Sequence, residues 1–395
     1  MRRSPASRRQ LQKRMIWTLV GLIVSATLAI YFLAFTVPES AGDERLGLDF
    51  RVYLEAGRDI VNGENPYHLN GELPYFYPPL TAQTFALFES GSDTTLFRGW
   101  IVGNLLLLVI TALAMATMTQ KTRLRMVIIA GTILFPPLLV TLQLGQVTII
   151  LLALYVAAWI AYERDYPVWC GVLLAIAAWI KVYPALIIAL LMLQREWRIV
   201  TGVAIGGLVL LLVQVLGAFD LIVYYFTEAL PNLTMFEAST LDNNSLRGFL
   251  LRVGIANAQT WWIVLALPIL GLTALMALRG RNAFAIGFPA ALLLSSVTWM
   301  SNLLPVLLPL AILLLNPRRG PRLTTSLFLI YAFICMGFFA SWAGMTPASP
   351  FTLATFGGLV LMWITALVTP LPQRSAAQPS DKPISADSAP SPQPA

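Results

Sequence analysis

From Met15 to Thr369 the chain is a succession of apolar runs separated by polar breaks, most of them long enough at roughly 17 to 25 residues to cross a hydrocarbon core. Lipid supplies no hydrogen-bond partners to a backbone, so such segments must satisfy their own amides as helices or in a closed barrel. Only 11% of the residues are charged and the mean hydropathy is +0.74, against about a quarter charged for soluble domains. The expected fold is all-α: a polytopic membrane protein of about twelve transmembrane helices with extracytoplasmic loop helices. No soluble domain of useful size is left over.

The runs place helices at 15–37, 97–118, 126–142, 146–162, 169–181, 184–195, 199–217, 260–278, 283–300, 303–315, 322–341 and 350–369. They form one integral membrane domain over 15–369, between a basic cytoplasmic tail (1–14) and a Pro-, Ser- and Ala-rich cytoplasmic tail (370–395) that lacks periodicity and is expected to be disordered. The run after the basic tail is too long for a signal-peptide core, which predicts a retained first span. Segment 169–195 is either one long helix kinked at Pro184 or two short arms turning at Lys181 to Pro184. The hairpin puts 19 of the 26 Lys and Arg on the cytoplasmic side and the single helix puts 12 there, so the positive-inside rule selects the hairpin with both termini cytoplasmic. Because the net charge of +7 sorts by topology in this way, it does not signal nucleic acid. Cys170 and Cys335 show no CxxC spacing and imply neither disulfide nor metal.

On that topology nearly every polar cluster falls on the extracytoplasmic side: Leu48 to Tyr67, the YFYPPL run at Tyr75 to Leu80, QLGQ at Gln143 to Gln146, KVYP at Lys181 to Pro184, NNSLRG at Asn243 to Gly248 and WMSN at Trp299 to Asn302. Two extracytoplasmic loops, 38–96 and 218–260, exceed the length of simple turns and invite a functional reading. The layout predicts an extracytoplasmic active site or ligand cavity.

Within the first loop, Phe50, Tyr53, Leu54, Ile60 and Val61 recur at helical spacing opposite Arg51, Glu55, Arg58 and Asp59. Asp49 starts this amphipathic helix, where it is either a helix cap or a general base that takes the proton of an attacking sugar hydroxyl. A sugar leaving from a lipid-linked phosphate needs a base and cations but no general acid, because the phosphate departs as a stable anion. The candidate cations are Lys181, Arg247, Arg51 and Arg252. A lysine at a membrane boundary is costly to desolvate and marks function, against the bland alternative of a snorkelling side chain; Tyr183 and Pro184 fix a turn beside it. Arg247 follows Asn243, Asn244 and Ser245 in the second loop, with a solvated loop arginine as its bland alternative.

Gln143, Gln146 and Asn104 are amides able to bind sugar hydroxyls or another helix's backbone. Tyr67, Tyr75, Tyr77 and Trp299 can stack on a sugar or belong to an interfacial aromatic belt. The lone His68 cannot hold a metal by itself, no phosphate loop, HExxH or Ser-His-Asp set is present, and no cofactor or metal is implied.

In order along the chain, DFRVYLEAGRDIVNGENPY, YPPL, LGQVTIILLAL, GVLLAIAAWIKVYPALIIALLML and NNSLRG make the sequence resemble the polytopic glycosyltransferases of family 87, within the C-type superfamily that uses polyprenyl-phosphate sugars. The resemblance spans about Leu48 to Asn316. It implies that Asp49 is the catalytic carboxylate and that Lys181 and Arg247 hold the lipid phosphate; the residue pattern itself adds Arg51, Tyr183, Gln146, Asn244, Tyr77 and Trp299 as substrate-binding candidates. By analogy the donor is polyprenyl-phosphate-mannose and the product an α-linked mannose made with inversion; the expected acceptor is a cell-envelope glycan or glycolipid. Where relatives carry a histidine after the tryptophan of a late span, this chain has Trp299, Met300, Ser301 and Asn302. The competing class is a transporter or lipid-sugar flippase, which would line a path through the bilayer with charge; here the spans are almost free of ionisable groups.

Overall fold

The computed structural model describes residues 46–68, 74–235 and 243–371; the basic tail, the first apolar run at 15–37 and nearly all of the C-terminal tail lie outside the described residues. Every regular element among the described residues is helical. The first long segment contains α1 (Leu48–Val61) and α2 (Pro79–Phe85). There follow α3 (Asp93–Ala116), α4 (Thr122–Ile133), α5 (Pro137–Leu144), α6 (Thr148–Glu163), α7 (Pro167–Ile180), α8 (Ala185–Leu193) and α9 (Trp197–Tyr224). A π-helical turn over Tyr225–Ala229 leads into α10 (Leu230–Met235), then α11 (Leu246–Arg252), α12 (Ala258–Leu278) and α13 (Ala283–Leu294). A 3-10 segment, Met300–Val306, runs into α14 (Leu307–Leu314), and α15 (Pro321–Trp342) and α16 (Ala354–Val368) complete the described chain.

Among the described residues α3, α12, α15 and the Trp197–Val215 part of α9 are long and apolar enough to cross a membrane, and α4 and α5, bent by 47° at their junction, make a fifth candidate. The chain is a multi-pass membrane protein, but the described residues carry four or five full-length spans plus shorter apolar helices, short of the expected twelve. The continuous helix expected at 126–142 is broken because Pro136 and Pro137 cannot donate to the ladder; Pro137 instead starts α5. The helix expected at 283–300 stops at Leu294. Asn243 and Asn244 compensate the freed backbone: Asn243 Nδ2 donates to Ser296 O (3.1 Å), Thr298 N donates to Asn243 Oδ1 (2.9 Å) and Asn244 N donates to Thr298 O (2.7 Å). In a membrane protein's apolar interior, irregular backbone is tolerated only where protein satisfies it. The expected loop 218–260 is largely helical, since α9 continues past a non-helical Ala218 to Tyr224.

Length divides the helices into an outer and an inner set. The long α9 and α12 turn apolar side chains such as Leu208, Val213 and Leu267 outward, as lipid-facing helices do, whereas every residue from Ala283 to Leu293 of the short α13 is buried. The tightest helix pair is α7 with α9: a Cβ on Gly202 would lie 2.1 Å from Val168 O, and one on Gly171 would lie 2.0 Å from Ile199 O. Gly202 and Gly206 form a small-xxx-small face that lets the backbones touch. The paired positions advance together along both helices, so α7 and α9 run in the same direction. The intervening α8 must return, which is the hairpin expected from the charge count.

The bundle therefore has two ends. One gathers the tips of α1, α5 and α7. At the other, after the roughly 24 Å of α6, Arg164, Arg195, Arg279 and Arg281 border two adjoining hollows that share Glu163 and Asn282.

Candidate active site

A cavity of about 650 Å³ opens at the first end, lined by α1, the Pro74–Pro78 stretch, the α5–α6 junction, the α7–α8 turn, the π-helical turn and the segment after α13. Each element delivers its side chain for a local reason. Gly145 closes α5 in the left-handed conformation (φ 72°), with Gln146 N donating to Thr141 O (2.9 Å) and Gly145 N to Leu142 O (3.1 Å), a Schellman arrangement. A Cβ on Gly145 would come within 2.7 Å of Phe50 Cβ, so glycine is required both for the turn and for α1 to lie against it. The abrupt stop aims Gln146 at α1. Gly47 N in turn donates to Gln143 O (2.6 Å), which pins the start of α1 and places Asp49 opposite.

The α7 helix ends at Ile180, whose carbonyl Pro184 can neither donate to nor approach without a ring clash were the helix to continue; Lys181 is extended (φ −143°, ψ 138°) and its side chain enters the cavity. Pro78 and Pro79 hold the preceding tyrosines out of helix until α2 begins, and Tyr67 and Tyr75 lock the stretch by donating to Tyr77 O (2.9 Å) and Pro78 O (3.0 Å).

The polar groups form one network. Gln146 Nε2 donates to Asp49 Oδ2. Its Oε1 accepts from Tyr77 OH (3.0 Å) and Tyr53 OH (3.1 Å) and faces Lys181 Nζ at 3.5 Å. The Tyr53 and Tyr77 hydroxyls lie 2.8 Å apart. Lys181 Nζ donates to Asn302 Oδ1 (2.6 Å) and stands 5.2 Å from the centre of the Tyr77 ring. Burial raises the pKa of Asp49, opposed by the Gln146 hydrogen bond and the Lys181 charge. Burial likewise lowers Lys181 to about 8, opposed by Asp49. The carboxylate is thus a stronger proton acceptor than one in water, and the ammonium is cationic at neutral pH with an incentive to gain an anionic partner.

Of the residues singled out from sequence, Asp49, Tyr77, Gln146, Lys181, Tyr183 and Trp299 all line this cavity. Arg51, Asn244 and Arg247 do not line it: Arg51 donates to Leu46 O (2.9 Å), and Asn244 and Arg247 are buried in the NNSLRG segment that braces the wall from behind. Asp49 lies in the first turn of α1 but does not cap it, since its carboxylate takes the Gln146 amide and the N-cap residue is Gly47. Tyr53 and Asn302 were missed. Tyr53 stands four residues after Asp49 on the same helix face, a spacing visible in the sequence; Asn302 closes the WMSN cluster, but nothing in the sequence pairs it with Lys181.

Among the described residues the protein is a helical membrane protein in which a half-buried carboxylate and a half-buried ammonium face a common cavity. Residues 75–301, more than half of the chain, match the model of glycosyltransferase family 87, and the chain belongs to that family. It is 27% identical over 309 residues, 67% of this chain and 70% of the relative, to a polyprenol-phosphate-mannose-dependent alpha-(1-2)-phosphatidylinositol mannoside mannosyltransferase of Mycolicibacterium smegmatis. Among solved structures it is similar to ArnT from Cupriavidus metallidurans bound to undecaprenyl phosphate, at 16% identity and a TM-score of 0.42 over 88% of this chain and 76% of that one.

Proposed function

We propose that this glycosyltransferase transfers a hexose, mannose being the first choice, from a polyprenyl-phosphate sugar to a cell-envelope glycan or glycolipid on the extracytoplasmic side. The observation that carries this reading is the pairing of Asp49 and Lys181 across one apolar-walled cavity. In the mechanism, the acceptor hydroxyl oxygen attacks C1 of the sugar while its proton passes to Asp49. The bond from C1 to the phosphate oxygen breaks and its electrons stay on the polyprenyl phosphate, which leaves as an anion. Lys181 offsets the charge gathering on that phosphate, and no acid is required. Displacement in line inverts the anomeric centre. Positioning and preorganised charge supply most of the rate.

Ile180, Leu186, Leu230, Ala291 and Leu294 offer the apolar wall along which a prenyl chain enters from lipid. Tyr77, Tyr183 and Trp299 present rings and hydroxyls to the sugar. Asn244 holds the 295–298 wall through its backbone N–H to Thr298 O, Arg247 is buried in the same segment, and Arg51 fixes the start of α1 by donating to Leu46 O. The choice of mannose and of a lipid-linked donor is carried over from the Mycolicibacterium relative's name. The fuller architecture we favour has about twelve spans of the C-type superfamily, cytoplasmic termini and the basic end of the bundle in the cytoplasm, following the positive-inside rule. A flippase without covalent chemistry is disfavoured by the family to which the chain belongs.

The test is transfer from radiolabelled polyprenyl-phosphate-mannose in membranes containing wild type or Asp49→Asn. Loss of a general base costs about 10² to 10⁴ in rate, so label should enter product only with wild type. Equal transfer by both proteins removes Asp49 from the chemistry.

A further inference from the structure

Gln146 is 4% exposed and sits at the centre of the polar network. Its carboxamide can face its neighbours in only one sense. The oxygen meets two hydroxyls and an ammonium, which has protons to give and no lone pair; the amide nitrogen meets a carboxylate, which can only accept when ionised. Turning the amide over would set its N–H groups against Lys181 and its oxygen against Asp49. Four groups from three separate parts of the chain therefore fix one amide. That amide in turn stands between the two charges: among the described residues Asp49 and Lys181 make no direct ion pair. Asn302 tethers Lys181 from the far side.

We propose that Gln146 is a positioning residue of the transfer reaction, a carboxamide spacer that fixes Asp49 and Lys181 while holding them apart. Its donation to Oδ2 leaves Oδ1 to take the acceptor's proton, and the gap it maintains leaves the ammonium for the departing phosphate. A direct ion pair would instead neutralise base and cation against each other. This inference rests on the roles of Asp49 and Lys181 given above.

The charged and titratable groups facing Asp49 are Tyr53 from α1, Tyr77 from the Pro74–Pro78 stretch and Lys181 from the α7–α8 turn. The neighbouring α2 and α5 contain no titratable residue. Gln146→Leu removes the donor that favours the ionised carboxylate while Asn302 keeps Lys181 in place. The acid limb of kcat against pH should then move upward by at least about 0.5 unit. The misplaced base should cost kcat roughly 10- to 100-fold, with the donor KM within about 3-fold of wild type, as expected when a transition-state interaction is lost. Gln146→Glu places a like charge beside Asp49 and should move the limb further up. The double variant Tyr53→Phe, Tyr77→Phe leaves the amide but removes two of the groups that orient it; it should fall between wild type and Gln146→Leu, and it carries the test if the leucine variant does not fold.

A raised KM with kcat and the acid limb unmoved would make Gln146 a substrate contact and overturn the proposal, as would wild-type kinetics in all variants. Asp49→Asn in the same preparation separates the two levels. Full activity there refutes the base assignment itself; an inactive Asp49→Asn beside an unaffected Gln146→Leu refutes only the positioning role.

Discussion

Replacing Lys181 with methionine keeps the length and apolar stem of the side chain and deletes its charge. In the cavity Nζ has one strong partner, Asn302 Oδ1 at 2.6 Å, and one long contact, Gln146 Oε1 at 3.5 Å, so at least one of its three N–H donors remains for a phosphate oxygen. A hydrogen bond to a charged group contributes about 1.5–3 kcal/mol, and the low-dielectric wall strengthens the accompanying charge attraction. The expected loss of transition-state stabilisation is about 2–4 kcal/mol, or roughly 30- to 1,000-fold in kcat/KM. The assay is initial-rate transfer of radiolabelled mannose from polyprenyl-phosphate-mannose in proteoliposomes, from pH 5 to 10. In wild type the rate requires Asp49 without its proton and Lys181 with one. Activity should therefore rise through an Asp49 limb that burial moves upward, then fall as Lys181 titrates at about 8. Lys181→Arg stays protonated past that pH, so its alkaline limb should disappear whatever its absolute rate. A Lys181→Met protein that retains kcat/KM within about 3-fold of wild type, or an alkaline limb unchanged in Lys181→Arg, would refute the assignment of the phosphate-facing cation.

Two further outcomes test the architecture. Gly202→Leu should force α7 and α9 apart, because even a Cβ there would lie 2.1 Å from Val168 O; overpacking of this kind typically costs about 1–3 kcal/mol or more, read as a lower detergent melting temperature, while Gly207→Leu, whose Cβ would meet nothing closer than 4.0 Å, should leave it unchanged. For sidedness, a membrane-impermeant thiol reagent applied to intact cells should label Glu64→Cys, beside the cavity end, and spare Arg164→Cys at the basic end; the reverse pattern would overturn the proposed orientation.

What the sequence determines on its own is whatever depends on neighbours along the chain. Apolar run length declared helices in lipid, the Lys and Arg bias chose a hairpin at Lys181 to Pro184, and the phase of Phe50, Tyr53 and Leu54 marked the buried face of α1. Motif order pointed to the family and to Asp49. Local rules also misjudged lengths where a distant group intervened: α13 stops at Leu294 because Asn243 and Asn244, some fifty residues earlier, supply the hydrogen bonds that let the chain leave the helix.

The site was decided by tertiary structure. Gln146 meets Asp49 across 97 positions and Lys181 meets Asn302 across 121, and no periodicity connects such pairs. Arg247 and Lys181 look alike as isolated cations in polar motifs, yet packing buries Arg247 outside the cavity lining and puts Lys181 in it. Helix propensity and hydropathy act over a turn or two of chain. Which polar side chains share a cavity depends on how finished helices pack, and here that packing follows from glycines such as Gly145, Gly171 and Gly202, where the missing side chain allows two backbones to meet.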